Sequence, residues 1–282
     1  MRRPGLASLS LAGVLLAASA ATAGGGAADP LYERTVMSAA DDRCGLFAPD
    51  LGSALDAARL QARGAALRSG TSDARVTAIE RQARARAATV ACASPDVSTA
   101  AARVRDAFEG WREVGRMDFP GERQGWIADR ASSREPAWRL RQDARVGFER
   151  ATLGIGGTHT ASAMVATVEG PPPASARLLA RHLIRSPRPL TAGALSTRGP
   201  RGSGARVFLA EARTPAPVGL RSGSARATTF RFPAAAVEAL SGLDARESVA
   251  VEFADAQGRV HTAWFEVGDF AAGRAFLAAG RR

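Results

Sequence analysis

Lysine and asparagine are absent from this 282-residue chain, tyrosine occurs once and cysteine twice. Each absence excludes chemistry. Without lysine there is no Schiff-base nucleophile, no phosphate-loop lysine and no S-x-x-K hydrolase motif. The two cysteines, Cys44 and Cys92, form no C-x-x-C, which removes the usual dithiol redox and zinc-ribbon patterns. The three histidines, His159, His182 and His261, lack the short spacing that puts two metal ligands on one element. There is no G-x-S-x-G, and Gly154-Ile155-Gly156-Gly157 is too short for a phosphate loop. No motif pairs two carboxylates, so a two-carboxylate hydrolase rests on nothing local. Neither a cofactor nor a metal is expected.

What is present begins with a leader. Arg2 and Arg3 precede an apolar run from Leu6 to Ala20, and Ala21-Thr22-Ala23 offers small residues before Gly24. This reads as a cleavable Sec signal peptide over residues 1–23. The run is shorter than the ~20 residues a membrane-spanning helix needs. The mature chain is therefore expected to be periplasmic or secreted, with no transmembrane segment.

All 38 basic residues are arginine. Abundant Ala, Gly and Pro beside Arg is the pattern of a GC-rich genome, so the high pI partly reflects codon usage. The distribution is uneven, however: residues 177–231 hold 11 Arg and a single acid, Glu211. Arg177, Arg181, Arg185, Arg188, Arg198, Arg201, Arg206 and Arg213 are the candidate residues for an anionic partner, such as lipopolysaccharide, phospholipid or another envelope protein. The competing reading is solvated arginine on strands and loops. Nucleic acid is disfavoured by the leader and by the scarcity of aromatics, Phe208 and Phe230 being too few for a stacking platform.

Helical periodicity dominates residues 24–114. Helices are expected from Glu33 to Arg43, from Pro49 to Arg68, from Asp73 to about Cys92, and from Asp96 or Ser98 to Val114. Pro49 suits a first turn, Ser69-Gly70 is a stop, and Thr71-Ser72-Asp73 offers N-cap residues. Two antiparallel helices would bring Cys44 and Cys92 together, so a structural disulfide is expected across the open end of a helical hairpin. Ala101, Val104, Phe108 and Trp111 line one side of the fourth helix. That stripe could be core or one wall of a ligand groove.

Residues 115–137 are broken by Gly115, Pro120, Gly121 and Gly125 and read as an aromatic connecting segment packed where two units meet. From Trp138 the signals are short and β-like. Strands are expected at Trp138–Gln142, Val146–Leu153, Ser162–Glu169, Ala176–Ile184, Ala205–Glu211, Ala227–Phe232, Val249–Phe253 and Val260–Val267. A mobile loop is expected over Ser186–Gly204, a short helix over Pro233–Leu243, and a last helix capped by Asp269.

The closing order of helix, Val251-Glu252-Phe253 strand, Asp255-to-Gly258 turn, strand and Asp269-Phe270 before the final helix resembles periplasmic β-sandwich domains of the invasion-associated locus B type. The resemblance covers at most residues 138–282 and implies compartment and fold rather than catalysis. That family carries paired cysteines in its β domain, whereas this chain has none after Cys92. The whole chain also resembles exported proteins of GC-rich Gram-negative bacteria. The expected fold is α+β: a disulfide-stapled helical hairpin or bundle over 24–114, then an antiparallel β-sandwich-like domain over 138–282 with two short helices. The expected function is a non-enzymatic binding or scaffold protein of the envelope, the alternative being an enzyme with a motif-less site in the β domain.

Overall fold

The computed structural model describes residues 28–131, 133–147, 149–158, 161–183, 204–223 and 226–279. The leader lies outside them. Four helices come first: α1 (Ala28–Cys44), α2 (Pro49–Arg68), α3 (Asp73–Thr89) and α4 (Pro95–Arg112). Local chemistry sets their ends. The amides of Gly70 and Thr71 return to the carbonyls of Leu67 and Ala66, and Gly70 adopts φ +93°. These two bonds close α2 with a Schellman turn, in which a left-handed glycine lets the chain reverse. Ser72 and Ser94 accept hydrogen bonds from the amides of Arg75 and Val97, capping α3 and α4.

The Cys44–Cys92 disulfide is present, with Cα atoms 5.7 Å apart. Its context differs from a simple hairpin. α1 packs against both α2 and α3, while those two touch each other little. The bridge therefore fastens the end of α1 to the residues just after α3. Val90 turns extended, ending α3 before Cys92 and freeing that cysteine to reach α1. Arg43 supports the same junction by donating to the carbonyls of Ala88 and Val90.

The β-rich part holds β1 (Arg116–Phe119), β2 (Trp126–Asp129), β3 (Ala137–Val146), β4 (Glu149–Gly157), β5 (Ser162–Glu169), β6 (Ser175–Arg181), β7 (Ala205–Leu209), β8 (Ala212–Pro215) and β9 (Ala227–Arg231). α5 (Ala234–Ser241), β10 (Ser248–Ala254), β11 (Val260–Glu266) and α6 (Phe270–Ala279) follow. Two antiparallel sheets result, in the orders β1-β2-β3-β4-β5-β9-β8 and β11-β10-β6-β7. Their inner faces share one core, in which Phe230 of the first meets Phe253 of the second at 5.8 Å between ring centroids.

Three expectations need correction. Residues 115–137 are not only a connection: they supply β1 and β2, two four-residue strands at the edge of the larger sheet. Phe119 and Trp126 of these strands are fully buried. The expected break after Gln142 is instead continuous strand, because β3 alternates buried and half-exposed residues down to Val146, and the turn falls at Gly147 with φ +61°. The expected strand Ala205–Glu211 divides at Ala210-Glu211, where the chain leaves one sheet for the other. The expected loop over 186–204 lies, but for Gly204, outside the described residues.

The helical and β units are joined by specific contacts. Arg68 of α2 forms two hydrogen bonds with the fully buried Asp269 carboxylate, at 2.6 and 2.9 Å. Asp269 stands just before α6 as expected of its cap, with its carbonyl accepting the Gly273 amide, and its carboxylate is the ion-pair partner for α2. Gly64 makes the approach possible, since a Cβ there would stand 1.9 Å from Asp269 Oδ1. Arg130 donates to the Phe276 carbonyl and to those of Trp111, Arg112 and Val114, and so caps the last turns of both α6 and α4. Its guanidinium also lies over the rings of Phe276 and Trp111.

Candidate functional site

The structure divides the eight candidate arginines into three groups. Arg177 and Arg181 are neutralised within the smaller sheet. Arg177 is bonded to Glu252 across the β6–β10 pair, and Arg181 holds Glu247 at 2.8 and 2.5 Å. The second pair is deeply buried, with Arg181 6% and Glu247 1% exposed. The hydrogen bonds that Arg181 donates to Glu247 hold its pKa above its ordinary value despite burial. Beside them, burial pushes the Asp244 carboxyl up, but hydrogen bonds from Arg246 and the fields of Arg246 and Arg63 outweigh it. The group ionises below the usual carboxylate range. This cluster is a structural seam, since the adjoining Ala245 packs with Leu31, Leu67, Val76 and Ile79 of the helical unit. Both arginines thus sit in ion pairs, Arg181 deep in the seam and Arg177 at the half-exposed surface of the sheet.

Arg206 and Arg213 form the second group. They stand exposed on β7 and β8, the edge strands of the two sheets. Neither makes an ion pair among the described residues, although Arg206 stacks over Phe208 at 4.7 Å. Register explains their direction. Arg213 lies opposite Phe230, so it shares the face that carries the core and points into the gap between the sheets. The third group, Arg185, Arg188, Arg198 and Arg201, lies outside the described residues.

At that gap the sheets part into a cleft of about 540 Å³ lined by Ser175, Arg177, Leu209, Arg213, Glu252 and Val260, among others. Its rim is apolar as well as charged, because Leu209 is 68% and Val260 50% exposed. The outer row runs from Leu209 to Arg177 to Glu252 across β7, β6 and β10. Glu211, the single acid of the basic stretch, sits on the crossing and faces Arg231 at 3.8 Å. The geometry can receive an extended chain or a headgroup that offers both anionic and apolar atoms. An exposed arginine on a short edge strand also discourages pairing with another sheet.

The two described histidines do not converge. His182 directly follows β6 and His261 lies on β11, with β10 between those strands, while His159 is outside the described residues. None of the clefts at the sandwich mouth, beside α5 and α6, or along the helices has a histidine in its lining. Among the described residues, no group of three or more His, Cys, Asp or Glu is placed to hold a metal ion. No helix there is long and apolar enough to cross a membrane. The neutralising acids of Arg177 and Arg181 escaped the sequence reading because they lie 75 and 66 residues away. No family model, curated protein or solved structure matches this chain.

Proposed function

We propose that this is a non-enzymatic exported envelope protein that holds an anionic envelope component, phospholipid or lipopolysaccharide, at the open mouth of its sandwich. The observation that carries this reading is Arg213, exposed without an ion pair among the described residues and lining the 540 Å³ cleft, with Arg206 exposed and likewise unpaired on β7, the edge strand of the other sheet. Export is supported by the leader and by the Cys44–Cys92 bridge, since disulfides persist in oxidising compartments. The resemblance of the closing elements to invasion-associated locus B-type domains points to the periplasm as well. A basic residue close to an anionic surface contributes on the order of 1 kcal/mol, and salt weakens it.

The test is sedimentation of the purified protein with vesicles of phosphatidylglycerol, with lipopolysaccharide, and with neutral phosphatidylcholine. Retention on the anionic targets at low salt, lost at high salt and in Arg206→Glu/Arg213→Glu, is expected. A protein that ignores both anionic targets at low salt, or binds the neutral vesicles equally, overturns the reading.

A further inference from the structure

The fourth helix contains a stripe that the fold only half consumes. Of its Ala101, Val104, Phe108 and Trp111, Ala101 and Phe108 are buried, while Val104 and Trp111 remain half-exposed. They form one wall of a groove whose other wall is Leu51, Ala54, Leu55 and Ala58 of α2, enclosing about 230 Å³. Its walls carry no carboxylate, hydroxyl or amide side chain. The one polar side chain in the lining is Arg34 of α1.

Arg34 is the anomaly. Its guanidinium is half-buried and donates one hydrogen bond, 2.7 Å to the Ala58 carbonyl. A guanidinium has five N–H donors, and among the described residues no carboxylate is within ion-pair distance of this one. Burial lowers its pKa, and the field of neighbouring Glu33 offsets only part of that. The contrast with Arg68 and Arg181 is direct: each of those buried arginines grips a carboxylate with two hydrogen bonds. A half-buried charge without its counter-ion is costly, and the cost falls when an anion enters.

From this juxtaposition we propose that the α2–α4 groove binds a free single-chain amphiphile with a carboxylate head, the tail lying between Leu51, Val104, Phe108 and Trp111 and the head meeting Arg34. The small volume favours one unbranched chain, since sites for bulkier ligands enclose about 300–1,000 Å³. An amphipathic helix needs a wider trough. The arrangement is separate from the sandwich mouth and independent of what binds there.

Titration calorimetry with dodecanoate below its micellar concentration tests this, with dodecanol as the uncharged control. Dodecanoate is expected to bind one per protein, and dodecanol at least tenfold more weakly. Arg34→Gln, which keeps a donor for the Ala58 carbonyl, is expected to lose about tenfold for dodecanoate and nothing for dodecanol. Val104→Arg fills the groove from a half-exposed position and is expected to abolish binding of both while leaving the far-ultraviolet circular dichroism unchanged. Arg206→Glu/Arg213→Glu is expected to bind dodecanoate like the parent. No binding of dodecanoate, equal affinity for acid and alcohol, or full affinity in Val104→Arg would each overturn the proposal. Preference for an amphipathic acidic peptide over dodecanoate would reassign the groove to a protein partner.

Discussion

The helical and β units hold themselves together by different means. Of the largest fully buried side chains, eight are aromatic and all eight belong to the β part: Phe119, Trp126, Phe230, Phe232, Phe253, Phe265, Phe270 and Phe276. The helical unit contributes Leu31 and Leu67 to that set, and much of the rest of its core is alanine. Small side chains let helices approach closely but remove little apolar area from water. The helical unit makes up the difference with covalent and ionic devices: the disulfide, Glu80 between Arg59 and Arg63, and Arg63 on Asp73.

The sharpest way to break this contrast is to truncate on each side. Phe253→Ala should cost about 3–5 kcal/mol in denaturant unfolding, whereas Ile79→Val in the helical core should cost about 0.5–1.5 kcal/mol. A cost for Phe253→Ala as small as that for Ile79→Val would remove the distinction.

Arg68 tests the seam between the units. Arg68→Met leaves the Asp269 carboxylate buried and unpaired, with an expected loss of about 3–5 kcal/mol near neutral pH. Burial already holds the Asp269 carboxyl above its ordinary value, and Arg68 is what opposes that rise. Removing Arg68 moves it further up. For an acid whose folded pKa exceeds its unfolded one, stability is full below the unfolded pKa and is lost as pH rises through the folded pKa. The variant should therefore recover stability on acidification below its raised pKa, as the parent does over a narrower range. Arg68→Met/Asp269→Leu should be less damaged than the single variant and show no such recovery, read from denaturant midpoints across pH.

Cys44→Ser/Cys92→Ser should lower stability by about 2–4 kcal/mol, since the bridge closes a loop with 48 residues of sequence separation. If the two units differ as argued, the loss concentrates in α1 and α3. Hydrogen exchange should accelerate there more than in β3, β4 and β10. Uniform acceleration would mean that the units unfold as one.

How much of this was legible follows the range of the interactions involved. The ends of α2, the cap region of α3 and the pairing of two cysteines are local or exhaustible signals, and they read correctly; α4 begins at Pro95 under a Ser94 cap, just ahead of the Asp96 or Ser98 start expected. β1 and β2 did not, because four-residue strands between Gly115, Pro120 and Gly125 carry too little alternation to outweigh the breakers. The partners of Arg177 and Arg181 were hidden for a related reason: counting acids within 177–231 cannot see that Glu247 and Glu252 arrive from beyond it. Arg34 was invisible as a site residue, since nothing in its sequence neighbourhood says that it is denied a carboxylate. The α4 stripe was legible as apolar, and only the packing could show that half of it was left uncovered.

The smallest effect concerns that helix. Ser94 accepts the Val97 amide at 3.3 Å and caps α4, as Ser72 does for α3. Either serine replaced by alanine should cost about 1 kcal/mol of helix stability. The consequences should differ, because α3 lies inside the disulfide loop and packs along α1, whereas α4 meets α2 sparsely and is otherwise held by Arg105 on the Leu46 carbonyl and Phe47 ring and, at its end, by Trp111 on Phe276 and by Arg130. A helix with few partners opens locally, below the free energy of global unfolding. Ser94→Ala should thus raise amide exchange over residues 97–104 severalfold while leaving the denaturant midpoint nearly unmoved, and Ser72→Ala should shift the midpoint. Since α4 is one wall of the groove, saturating dodecanoate should slow the exchange of Ser94→Ala back toward that of the parent, because a ligand that bridges α2 and α4 favours the closed state.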